Sequence, residues 1–337
     1  MKRIISIYNI IVLSALVASV LSCNRSYLLD QEIGVKEPSQ MKFSAYYPVV
    51  HTRADEAGFA DGDKMGVFVV DYVDGNPGIL RLEDNRADNM CFTYDESSML
   101  WNSPADIYWK DKNSPVDIYG YYPFDASMSS VEDYMFSVSV RQDAAPSESD
   151  LGGYEASDLL WAKAEGVHPT AETIVLNYGH IMAGVKVVLQ MGEGFESAQW
   201  DSLDKTVLIK NVLTDATMNL STSFVEALND GEKKTIVPYL YNEEYRAVVV
   251  PQKLDANSEI LSITVDGKSY SYSRPDGMTY SPGKMHVFTI KVDNRSFDGD
   301  YDFTLQEEYI SEWVDDPDFY DGIARADICW PIKSRSS

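Results

Sequence analysis

The sequence predicts an all-β protein of two tandem antiparallel β-sandwich domains, and three observations carry that expectation. Apolar residues recur at every second position in many short runs, and the runs are separated by Gly, Pro, Asn and Asp. Long helical periodicity is nearly absent. Tyrosine, which suits half-buried strands, is abundant, with 22 in 337 residues. At that length two domains are expected.

Taken in chain order, Phe43, Ala45, Tyr47 and Val49 alternate with Ser44, Tyr46 and Pro48. Proline cannot donate to a ladder, so this strand belongs at an edge. Met65–Val70 reads as a buried strand. Val116, Ile118, Gly120 and Tyr122 alternate with Asp117, Tyr119 and Tyr121, and Pro123 ends the run. Phe136, Val138 and Val140 form a further alternation. Asp158–Ala164 fits a short helix or a strand. The pattern breaks at Gly166–Thr170 and restarts with Ile174, Leu176 and Tyr178. Ile181–Leu189, Val207–Val212, Tyr245–Val250 and Met285–Val292 are strands by the same signal, and Phe303–Trp313 is a candidate last strand. Leu261–Val265 and Lys268–Tyr272 flank Asp266-Gly267, a pair that supplies the positive φ angles of a two-residue hairpin. The expected organisation is a leader at 1–22, a tether at 23–40, domains at 41–168 and 169–315, and a tail at 316–337.

The leader is the most specific stretch. Lys2 and Arg3 precede an apolar run from Ile4 to Leu21, which ends in Val20-Leu21-Ser22-Cys23. A charged start, an apolar middle and small residues before a cut describe a secretory signal. The ending resembles the lipobox of bacterial lipoproteins, which implies cleavage before Cys23 and lipid on its thiol. Several acyl chains hold a protein to a membrane far better than one. Asn24 is not the aspartate that marks inner-membrane retention, so the outer membrane is expected. Cys91 and Cys329 remain; two cysteines alone are no disulfide framework, and separate thiols are the simpler expectation.

Charge and motifs exclude several functions. The chain holds 28 Lys and Arg against 53 Asp and Glu. No basic cluster could displace the counterions of a nucleic acid. None of His51, His168, His180 and His286 has the spacing of a helical zinc motif, and no phosphate loop, dinucleotide turn or nucleophile elbow is present. Asp298-Gly299-Asp300-Tyr301-Asp302 starts like a calcium loop. However, Phe303 replaces the required glycine, and Tyr309 stands where a bidentate glutamate belongs. No catalytic residue, cofactor or metal is therefore expected. The rival is a glycan-binding or glycan-cleaving surface lipoprotein, since two catalytic carboxylates could sit among so many acids.

Several motifs occur in a telling order. After the lipobox and a Phe-led strand come His51-Thr52-Arg53-Ala54, then Gly62-Asp63-Lys64-Met65-Gly66-Val67-Phe68 and Tyr119-Gly120-Tyr121-Tyr122-Pro123. Ser157-Asp158-Leu159-Leu160-Trp161-Ala162 and Leu176-Asn177-Tyr178-Gly179-His180-Ile181-Met182-Ala183 follow. Val250-Pro251-Gln252, Ser281-Pro282-Gly283-Lys284 and Ile310-Ser311-Glu312-Trp313 complete the set. In this order the chain resembles the fimbrillin family of Bacteroides-type lipoproteins, the Mfa-like or FimA-like pilus subunits, over residues 20–315.

The resemblance implies transthyretin-like sandwiches and a stalk, tip or anchor subunit of a surface fimbria that supports adhesion. It implies other fimbrial subunits as partners, in a homo- or hetero-polymer, and a host or bacterial surface ligand. It also implies cleavage by an arginine-specific protease between Arg53 and Ala54, loss of the first strand, and entry of a neighbour's C-terminal strand. Arg53 precedes Ala54-Asp55-Glu56-Ala57-Gly58, a small, polar stretch suited to cleavage. The departure is the end: residues 314–337 continue past the family's usual close, which leaves open which segment is donated.

Overall fold

The computed structural model describes residues 39–46, 59–147, 151–295 and 300–313. The sequence-predicted positions Cys23, His51, Arg53, Ala54, Asp298 and Cys329 lie outside them.

The first half holds β1 (Lys42–Tyr46), β2 (Lys64–Asp71), β3 (Ala87–Asp95), β4 (Leu100–Asn102), β5 (Val116–Tyr122), β6 (Tyr134–Ser137), β7 (Leu160–Val167), β8 (Thr173–Asn177) and β9 (Gly179–His180). The second holds β10 (Ala183–Met191), a one-turn helix α1 (Ser197–Ser202), β11 (Lys205–Val212), β12 (Asp215–Asn219), β13 (Phe224–Ala227), β14 (Lys234–Ile236) and β15 (Tyr239–Tyr241). It continues with β16 (Glu244–Val249), β17 (Gln252–Leu254), β18 (Glu259–Val265), β19 (Lys268–Ser273), β20 (Met278–Tyr280), β21 (Lys284–Arg295) and β22 (Asp300–Glu312). The stretch Asp158–Ala164, which fitted helix or strand, is mostly strand β7, and a 3-10 turn at Glu155–Ser157 precedes it.

The protein is mostly β, in several sheets. A six-stranded sheet runs β4-β3-β2-β5-β7-β9, and the pair β1-β8 shares its apolar core. A five-stranded sheet, β15-β16-β10-β21-β22, and a four-stranded sheet, β14-β11-β18-β19, contribute to a second core. The strands β13-β12-β6 form a three-stranded sheet that joins the halves, because β6 pairs with β12. Beyond residue 168, β8 and β9 still pair with first-half strands β1 and β7. Asp266 and Gly267 turn the β18–β19 hairpin at φ of 47° and 76°.

Two ladders depart from the antiparallel expectation. β1 runs parallel to β8, and β10 runs parallel to β21. Each joins strands far apart in sequence, and parallel pairing needs such a long connection. β5 departs differently, since all seven of its residues are buried. Its inner face meets the first core, while Tyr119 and Tyr121 meet the second. A strand covered on both faces has no solvent side for its alternation to report. Asp117 sits there, 2% exposed, and its carboxylate accepts the Gly166 N–H at 2.8 Å.

A side chain also completes one sheet edge. Past the short strand β15, the buried Gln142 carboxamide donates to Val248 O at 2.6 Å and accepts from Val248 N–H at 2.7 Å. Gln142 N–H donates to Val237 O at 3.0 Å.

Candidate functional site: the groove of the first strand

β1 alternates apolar and polar residues, and its burial follows that pattern. Met41, just before the strand, and Phe43 are 4% and 5% exposed, while Lys42 faces solvent. The Phe43 ring meets Phe92 of β3 edge-on at 5.2 Å. Ala45 packs against the same core more shallowly. Phe43 of the strand therefore fills a deep seat and Ala45 a shallow one, with Met41 in a second deep seat just before it. Burying a Met or a Phe is worth roughly 1.5–3 kcal/mol each.

The backbone of β1 is paired along one flank by β8, and the residues just before it are bonded to segment 107–109. Its parallel ladder to β8 sets Lys42 opposite Thr173 and Tyr46 opposite Asn177. Tyr178 N–H donates to Tyr46 O at 2.7 Å, which closes that end. At the other end Met41 N–H donates to Ile107 O at 2.7 Å, and Trp109 N–H to Ser39 O at 3.1 Å. Segment 107–109 is itself held in place. Arg86 forks onto Asp71 at 2.6 and 2.5 Å and donates to Tyr108 O at 3.1 Å. Trp109 Nε1 donates to Thr170 O at 3.0 Å. Among the described residues, β8 forms a ladder with β1 alone.

β1 ends at Tyr46, and the chain is next described at Phe59. Arg53 and Ala54 fall in the intervening stretch. Phe59 is 9% exposed and meets Trp101 at 4.8 Å, Tyr122 at 5.3 Å and Tyr178 at 6.2 Å. Tyr178 lies over Gly120, where an added Cβ would stand 2.3 Å from its hydroxyl oxygen. Burial pushes the Tyr178 phenol well above its ordinary pKa.

The last strand is anchored differently. β22 pairs antiparallel with β21 from Asp300 opposite Arg295 to Glu312 opposite Lys284. Trp313 then turns inward, 4% exposed, and its N–H donates to Gly283 O at 2.9 Å. Its ring stacks flat on His180 at 4.0 Å, and His180 Nδ1 lies 2.9 Å from an Asp158 carboxylate oxygen. His180 is thus a structural residue that ties the end of β22 to the first sheet. The Ile310-x-x-Trp313 element divides its labour: Ile310 is 57% exposed and Trp313 is the rivet.

The other candidates raised by the sequence are dispersed. Asp300 pairs with Lys268 at 3.4 Å and Asp302 with Arg295, so both acids of the calcium-like loop that are described serve as ion-pair partners. Among the described residues no group of three or more His, Cys, Asp or Glu is placed to hold a metal, and no helix is long and apolar enough to cross a membrane. Cys91 is a free, half-buried thiol on β3. Of the walls of the groove, Tyr178 stood in the sequence motif Leu176–Ala183, while Phe59, Trp101 and Trp109 were not singled out by sequence reasoning. The available signal was an aromatic residue immediately after the small, polar stretch 54–58.

These features define a mostly β chain whose first described strand fills a groove while its last described strand is riveted in place. Residues 52–313 match the Fimbrillin-like family model, and the chain belongs to that family. The match begins just before Arg53, so β1 precedes it. The proposed fimbrium subunit Fim1C of Bacteroides uniformis is 24% identical over 251 residues, covering 72% of this chain and 77% of that protein. The fold is similar to two crystal structures of proposed cell adhesion proteins. One, from Bacteroides ovatus, has a TM-score of 0.58 at 14% identity, covering 83% of this chain and 99% of that one. The other, from Bacteroides uniformis, has a TM-score of 0.56 at 17% identity, covering 82% and 98%.

Proposed function

We propose that this chain is a structural subunit of a cell-surface fimbria, assembled by strand exchange and supporting adhesion. Its activity is attachment and polymerisation, not catalysis. The reading takes the two halves as tandem transthyretin-like β-sandwich domains. Cys23 carries lipid that delivers the precursor to the outer membrane. Cleavage between Arg53 and Ala54 then frees β1.

The observation that carries this reading is the placement of β1. With Met41 just before it, its Phe43 sits deep in the first core, yet it is a short strand beside a partner with no other ladder among the described residues. Withdrawing it would leave the N–H and C=O groups of β8 unpaired over an opened core. That is the arrangement a strand from another chain can satisfy. Family membership and the fimbrium assignment of the Bacteroides uniformis relative support the same conclusion.

The test is proteolysis of the full chain with an arginine-specific protease, read by N-terminal sequencing and native gels. A single cut after Arg53, followed by a ladder that survives mild denaturant, is expected. A protected Arg53, or a cut product that stays monomeric, defeats the stalk reading.

A further inference from the structure

We infer that residues Phe59–Asp63 form a re-entry clamp, which fixes the boundary between an expendable first strand and the permanent fold. The inference rests on the strand-exchange reading for its purpose, though its geometry is independent of where the chain is cut. A cut anywhere in 47–58 leaves a loose N-terminus attached to the groove's far end. Unless that end is held, the loss of β1 would propagate into β2, the central strand of the six-stranded sheet.

Three contacts stop it. The Phe59 ring is held edge-on by Trp101 of β4 and Tyr122 of β5, at 4.8 and 5.3 Å, and reaches Tyr178 at 6.2 Å. One ring therefore ties the six-stranded sheet to the residue that follows β8. Aromatic pairs of this geometry are favourable beyond their buried area. Next, Asp63, 6% exposed, closes a tight turn: its carboxylate accepts Ala60 N–H at 2.7 Å, and its own N–H donates to Ala60 O at 3.0 Å. Gly62 makes the turn possible at φ of +84°. Last, Gly62 N–H donates to Tyr94 O at 2.9 Å and Tyr94 N–H to Asp63 O at 2.8 Å, which stitches the turn to β3.

Phe59 also acts as a prop. Tyr178 is where β1 ends, through its N–H bond to Tyr46 O. With β1 gone, the Phe59–Tyr178 contact still holds that end of the groove wall at its spacing from the sheet. A preorganised groove loses less ordering free energy on filling than a collapsed one. Phe59 is thus a positioning residue for strand entry.

The clamp is tested by trimming. The full chain is cut at Arg53 by an arginine-specific protease. In a second arm, an unrelated protease recognition sequence replaces residues 50–56 and is cut by its own protease. Each product is exposed to an aminopeptidase, and its new N-terminus is read by mass spectrometry. Trimming is expected to stop within a residue or two of Phe59. In Phe59→Ala it should run past Asp63 at least tenfold faster, while Phe59→Leu, which keeps an apolar plug, should stop close to the wild type. A wild-type product trimmed past Asp63, or a Phe59→Ala product that stops at the wild-type position, overturns the clamp. Should Phe59→Ala fail to fold, the wild-type and Phe59→Leu stops still decide. No cut at Arg53, with a clean stop at Phe59 in the second arm, overturns the processing reading and leaves the clamp standing.

Discussion

The first and last strands of the described chain both end a sheet or pair, yet they are held by different means. β1 is five residues long, runs parallel to β8 in a five-pair ladder, and seats one side chain, Phe43, deep in the core. β22 is thirteen residues long, runs antiparallel along all of β21 in a twelve-pair ladder, and is locked by Trp313. The shorter ladder leaves β1 fewer bonds to break, so a chain with a matching side chain at the Phe43 seat can replace it. A strand held along thirteen residues of backbone has no reason to leave. Under the proposed strand exchange, β22 is expected to stay resident.

Four substitutions or conditions would break or sharpen this contrast. Phe43→Asp should have the largest effect, because it puts an unpaired carboxylate in the deep seat of the first core. A loss above about 4 kcal/mol is expected in urea unfolding of the uncut chain. The same change should have little effect on a cut chain whose β1 has been displaced. Trp313→Ala should cost roughly 3–4 kcal/mol, and hydrogen exchange should quicken along the Glu312 end of β22 while β1 stays protected. Equal quickening at both ends would show that the two strands are coupled.

Acid should act on the β22 side. Burial beside Tyr280 depresses His286 on β21 to a pKa of about 4. The folded state thus binds fewer protons than the unfolded chain between about pH 6.5 and 4. Its contribution is complete above about pH 6.5 and is lost as pH falls through 4, by up to about 3 kcal/mol. Unfolding midpoints measured across that range should fall, and His286→Gln should flatten the slope. The smallest effect is expected from Arg86→Lys. It keeps the charge but loses the fork onto Asp71 and the bond to Tyr108 O. About 1 kcal/mol is expected, seen as faster exchange at Met41 with none at Glu312.

Much of this was legible in the sequence. β2 follows its apolar run, and β11, β16 and the Asp266-Gly267 hairpin follow their alternation and turn residues, because these signals report a strand's own faces and turns and not its partner. Partner choice was not legible. Nothing local to Lys42 says that Thr173 lies opposite it, and nothing local to Gly184 says that its partner is Met285 and runs parallel. β5 reads as one-sided because alternation cannot report a second covered face. For the groove, the edge position of Phe43 was readable from Pro48. Its walls come from loops and from distant strands, and their shared aromatic chemistry becomes a site only once the fold brings them together.

Gln142 has a consequence at a larger scale than its own two hydrogen bonds. A filament that grows one groove at a time has a head and a tail, and it keeps that polarity only while each protomer offers a single place for addition. A second open edge would let chains branch. At Val248 one carboxamide stands in for a missing strand and closes such an edge without using any chain length. Under the strand-exchange proposal, Gln142 removes one such edge, on β16, from the places where a chain could add.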